Sequence, residues 1–150
     1  MKTFAVIYLV GSLSLAANSV ANAYVFSPAD VSARLHGKLT FSPNRGTNTK
    51  PFECSITLDL KTQSYEIKSV KFPKKDCENV NFQVFPWYVS IKGAKTGQFS
   101  FPGFTSKNGN CASNRIQFQD NKSGIFTLDP GQCLAGTLTS DPPVTIGHVS

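Results

Sequence analysis

Phe82-Gln-Val-Phe-Pro-Trp-Tyr-Val-Ser-Ile91 decides how this chain is read. It carries the only tryptophan, Trp87, with Cys54 and Cys77 before it and Cys111 and Cys133 after it. Phe85, Trp87, Val89 and Ile91 share one parity, and Phe82, Val84 and Tyr88 share the other. Apolar groups on both faces early, and on one face later, predict a strand buried in the middle of a β domain. Pro86 lacks a backbone donor, so it belongs at a bulge or where one side of the strand is unpaired.

Outward from this stretch the same period recurs. Leu35, Gly37, Leu39 and Phe41 alternate with Arg34, His36, Lys38 and Thr40, and Cys54, Ile56, Leu58 and Leu60 alternate with Ser55, Thr57, Asp59 and Lys61. Each set describes a half-buried strand. From Tyr65 to Phe72 the apolar parity flips between Ile67 and Val70, which places a bulge near Lys68-Ser69. Further strands are expected at 98–101, 115–119, 125–128, 134–139 and 144–149, separated by Gly, Pro, Asn, Asp and Ser clusters. About nine short strands and no amphipathic helical stretch predict an all-β fold: a single antiparallel β-sandwich, with a barrel as the second choice.

The first 23 residues read as a cleaved signal peptide. Lys2 supplies the positive start, Phe4 to Leu15 the apolar run, and Ala21-Asn-Ala23 the small residues of a cleavage site. The run is too short and too polar at its end for a membrane anchor, and no later stretch approaches membrane-spanning length. The expectation is a single domain over residues 24–150, secreted or periplasmic. All four cysteines fall in that part, and an even number behind an export signal implies two disulfides. Three pairings are possible. The outer spacings are nearly equal at 23 and 22 residues, which favours Cys54 with Cys77 and Cys111 with Cys133.

The formal charge of +6 is spread over many positions, and apart from Lys74-Lys75 there is no basic run. Nucleic-acid binding therefore has little support. His36 and His148 fall on a polar parity or near an end, the pattern of solvent-facing histidines. The carboxylates show no spacing that singles out a catalytic pair. There is no Cys-x-x-Cys zinc spacing, no phosphate loop and no calcium loop. The expectation is a protein without catalysis, cofactor or metal.

The aromatic load is more informative. Phe99, Phe101 and Phe104 surround Pro102-Gly103. The polar parity of Gln98 and Ser100 points Phe99 and Phe101 inward. Phe104 follows the turn among Lys107, Asn108 and Asn110 and is expected to be the most exposed phenylalanine. Trp87 is read as core, with a ligand-facing position as the alternative. The candidate contact residues for a hydrophobic ligand or interface are Trp87, Tyr88, Phe99, Phe101 and Phe104.

Several landmarks follow one another in a distinctive order. Phe26-Ser-Pro28 follows the Ala-x-Ala signal, Cys54-Ser-Ile-Thr-Leu58 opens a strand, and Pro86-Trp87 lies between the second and third cysteines. The fourth cysteine leads into Gly136-Thr-Leu-Thr-Ser-Asp-Pro-Pro-Val-Thr-Ile146. In these features the chain resembles the exported proteins known as activators of alkane oxidation in pseudomonad-type bacteria. The resemblance implies an exported, non-catalytic accessory protein that helps cells use poorly soluble hydrocarbons, with hydrocarbon, lipid or the oil–water interface as its partner. The alternative is a self-associating matrix or fibre subunit. Its arm, Tyr24 to Ala33, or its tail, Val144 to Val149, would add as a strand to a neighbour's sheet edge.

Overall fold

In the computed structural model the described residues are 24–148, apart from 47–49, 78, 83 and 123. The signal-peptide reading of residues 1–23 and the end of the tail at Val149 lie outside them. The first strand, β1 (Tyr24–Ser27), is followed by β2 (Ser32–Phe41), β3 (Phe52–Lys61), β4 (Glu66–Lys71), β5 (Trp87–Ile91) and β6 (Thr96–Phe101). Then come β7 (Asn114–Lys122), β8 (Ile125–Leu128), β9 (Leu134–Asp141) and β10 (Thr145–His148). A 3-10 turn, Lys75–Cys77, interrupts the connection from β4 to β5.

The all-β antiparallel expectation with two disulfides holds, and the architecture is the barrel rather than the sandwich. Strands β2 to β9 form a closed barrel in sequence order, and β1 pairs with β10 in a separate two-stranded ribbon. Closure comes from β2, whose ten residues pair with β3 on one side and six of which pair with β9 on the other. A strand this long can serve two neighbours, and closing the sheet leaves no edge. The predicted bulge is present: Asp59 pairs with Ser69 and Leu60 with Ile67, so Lys68 is the extra residue.

The alternating residues do what their period requires. Leu35, Leu39, Ile56, Leu58, Leu60, Ile67, Ile116, Leu138 and their parity mates point into the barrel and are buried, while Arg34, His36 and Lys38 face outward. His148 is also exposed, as expected. The interior is thus apolar and the outer face polar, the reverse of a barrel that faces lipid. Among the described residues no helix is long and apolar enough to cross a membrane.

The two ends of the barrel are closed differently. At one end the β1–β10 ribbon folds across the opening. Phe26 enters it, stacked on Tyr65 at 5.1 Å, and its N–H donates to the Tyr65 hydroxyl. The ribbon is tied to the wall by Asp120, whose Oδ2 accepts the Ile146 N–H at 2.9 Å. By sequence Asp120 opens the Asp-Asn-Lys-Ser-Gly stretch, a hairpin turn between the strands expected at 115–119 and 125–128. Strand β7 instead runs on to Lys122, and the carboxylate is buried beneath the ribbon.

At the other end lie the disulfides, Cys54–Cys77 and Cys111–Cys133, in the expected pairing, with Cα separations of 5.8 and 6.2 Å. They clamp the long connections onto β3 and β9. Here Phe104 corrects its expectation: it is 3% exposed, not the most exposed phenylalanine. The cause is backbone geometry. Gly103 has φ +92°, and a Cβ there would lie 2.1 Å from the Cys111 carbonyl oxygen. Glycine alone permits that approach. It turns the chain back so that Phe104 and Cys111 exchange both backbone hydrogen bonds, at 3.0 and 2.9 Å. The ring is thereby delivered onto Phe41 and Phe52, at 5.3 and 6.2 Å.

Candidate functional site: an apolar rim on a filled barrel

An eight-stranded barrel is just wide enough to be filled by its own side chains or to hold one small ligand. This one is filled. An interior void lined by Phe26, Leu58, Ile67, Phe99, Phe118, Leu138 and similar side chains measures about 20 Å³. That is room for about one water-sized probe, and its walls are wholly apolar.

The outer surface differs. Three large hydrophobic side chains are exposed among the described residues: Val84 at 70%, Tyr88 at 59% and Phe85 at 39%. All lie within five positions of one another, at the entry to β5. The strand expected over residues 82–91 forms only from Trp87 onward. Val84 adopts φ +69° and the Phe85–Pro86 peptide is cis. Pro86, without a donor, precedes the ladder, so the parity of Phe82 and Val84 does not continue that of the strand. Val84 therefore points into solvent instead of joining the wall. A β-branched residue at positive φ is strained, and strain of this kind gathers at functional positions.

The patch stands on a stiff base. Phe85 stacks on Trp87 at 5.0 Å with 13° between the rings, and Trp87 stacks on Phe99 at 5.8 Å with 8° between them. Phe82 and Phe101 meet Trp87 edge-on, each at 5.2 Å. A column of rings thus runs from the surface into the core. Trp87 is 1% exposed, and Phe99 and Phe101 are buried as their parity required. Of the five residues expected as contacts, Tyr88 alone is exposed; Trp87, Phe99 and Phe101 lie beneath the patch, and Phe104 packs on Phe41, Phe52 and Phe101. The sequence reading treats Val84 and Phe85 only as strand residues and Pro86 only as a bulge or an unpaired position. The signal that marks them is Pro86, which ends the parity that had placed Val84 inside.

Beside the patch runs an open groove of about 400 Å³. Val84, Pro86, Trp87 and Tyr88 line it from the β5 side, Ser100, Phe101 and Pro102 from β6, and Ser113, Asn114 and Arg115 from β7. The barrel's weakest seam adjoins it, since β4 and β5 share only two residue pairs, Glu66 with Tyr88 and Ile67 with Trp87. Glu66 is held below the usual carboxylate range by the Ser64 hydroxyl and then by Lys68, whose Nζ lies 3.0 Å away. Among the described residues no group of three or more His, Cys, Asp or Glu side chains converges as a metal site would require.

These features define a class: a disulfide-clamped, self-filled antiparallel barrel that presents its exposed apolar surface on one rim rather than inside. The chain belongs to the alkane oxidation protein activator PraA/PraB-like family, whose model matches residues 1–147. It is also 30% identical over 118 residues to an uncharacterized protein of Schizosaccharomyces pombe. That match covers 73% of this chain but spans only 20% of the yeast protein. No solved structure matches. The two disulfides fit an oxidising compartment.

Proposed function

We propose that this chain is an exported, non-catalytic accessory protein that assists the use of hydrocarbons by laying the Val84–Phe85–Pro86–Tyr88 rim on an apolar surface, such as an oil droplet. The single observation that supports this reading is the contrast between the two apolar regions. The void among the barrel's core side chains measures about 20 Å³, too small for a hydrocarbon chain. The exposed large apolar side chains are gathered at one rim on an aromatic support. Ordinary soluble surfaces scatter such residues singly, and a gathered patch marks a contact site. The family name, an activator of alkane oxidation, supplies the chemistry of the surface. The fibre alternative calls on the arm and the tail as donor strands. Here they are partners of each other, Tyr24 to Ser27 against Thr145 to His148, which favours the surface reading.

The test is adsorption to a dodecane–water interface, followed by drop tensiometry. The double variant Val84→Ser/Tyr88→Ser should keep its unfolding midpoint and lower interfacial tension much less than the parent. Undiminished adsorption by a folded double variant would show that the rim is not the contact surface.

A further inference from the structure

The groove beside the rim is chemically two-sided. Its one wall is Val84, Pro86 and Tyr88, and its other carries Arg115, the only charged side chain that lines it. Arg115 is exposed on β7 and paired across the ladder with Ser100. Among the described residues no carboxylate makes an ion pair with it, since the ion pairs there join Lys61 to Asp59 and Lys68 to Glu66. Of the acids near β7, Asp129 lies opposite Gln117 and accepts from the Gln119 amide, and Glu66, opposite Tyr88, is held by Lys68. The Ser100 and Ser113 hydroxyls have no hydrogen-bond partner among the described residues either. The indole Nε1 of Trp87 is buried and has no hydrogen-bond partner. A buried donor without a partner is uncommon and asks for an explanation.

We propose that this groove binds a long-chain alkyl carboxylate, with the chain on Val84, Pro86 and Tyr88 and the carboxylate on Arg115. The assignment rests on the surface reading above and adds a headgroup to it. Charge complementarity selects the ligand: a planar guanidinium matches a carboxylate with two parallel hydrogen bonds, and a neutral alkane offers it nothing. The free serine hydroxyls supply further donors to the same oxygens. A groove of this size is within the range of small-molecule sites, whereas the interior void is not. The protein would then distinguish an oxidised, anionic chain from the parent hydrocarbon while holding both on one apolar wall.

Trp87 is the only tryptophan and is one of the residues lining the groove, so its emission reports occupancy. The full chain is titrated at pH 8 with laurate, dodecyl maltoside and dodecyltrimethylammonium, all below their micelle concentrations, and with phosphatidylglycerol vesicles. Laurate should bind about five- to tenfold more tightly than the maltoside, as expected for a charge-assisted contact at a partly exposed site. That preference should shrink in high salt. Arg115→Gln should bring the ratio of the two affinities close to one, and Arg115→Lys should restore part of it. Equal affinities in the parent, or a preference unchanged in Arg115→Gln, would overturn the headgroup assignment. Binding to the vesicles without binding of monomeric laurate would overturn it in favour of a membrane surface. The surface reading stands or falls separately, on the Val84 and Tyr88 variants at neutral dodecane.

Discussion

Replacing Val84 by glycine should move stability and surface activity in opposite directions. Val84 sits at φ +69° with 70% of its surface exposed, so it contributes little packing while bearing backbone strain. A non-glycine residue in a sparsely populated region costs about 1–3 kcal/mol. Glycine removes that cost but makes the unfolded chain freer, a loss of about 0.5–1 kcal/mol. The net expectation is a stability change between about zero and 2.5 kcal/mol in favour of Val84→Gly. The lost side chain has the opposite effect at an interface. Fully burying a valine is worth about 1.5–3 kcal/mol, and most of this one is still exposed in the free protein. The remaining gain on contact is about 1–2 kcal/mol, or about five- to thirtyfold in affinity for an apolar surface. Urea unfolding followed by Trp87 emission measures the first quantity, and dodecane–water tensiometry the second. Val84→Ala serves as comparator, because it removes area without granting glycine's freedom. A Val84→Gly protein less stable than the parent by more than about 1 kcal/mol would refute the strain argument. Unchanged adsorption would refute the role of the side chain.

Two further outcomes test the frame beneath the rim. Phe104→Ala should cost about 3–5 kcal/mol in urea unfolding, because its ring is buried against Phe41, Phe52 and Phe101; a cost under about 0.5 kcal/mol would return Phe104 to the surface. Replacing Cys111 and Cys133 together by serine should cost about 3 kcal/mol by the entropy of closing a segment of 22 residues, and reversible calorimetry with no shift in midpoint would contradict it.

The alternation of Leu35 to Phe41 and of Cys54 to Leu60 was enough to define two half-buried strands and their inward faces, because period-two patterning acts locally. The Lys68 bulge was legible for the same reason, as a break in parity. The cysteine pairing followed from near-equal spacings, and the sequence also placed Trp87, Phe99 and Phe101 in the core. Barrel closure was not legible. Whether β2 also pairs with β9 depends on twist and stagger summed over eight strands, and no local stretch encodes that. Phe104 was misjudged because its neighbours in sequence are polar, while its burial is decided by Gly103 and by Cys111, which the disulfide to Cys133 holds in place. Asp120 looked like a turn residue because the ribbon that covers it, β1 with β10, joins the two ends of the described chain. The rim was hidden for a related reason: one positive φ at Val84 turns an apolar residue out of a wall and into solvent. Sequence alone thus determined class, strand parity and covalent frame. The tertiary structure decided which apolar residues are spent on the core and which are left to meet another surface, because burial depends on what the closed barrel brings beside each side chain.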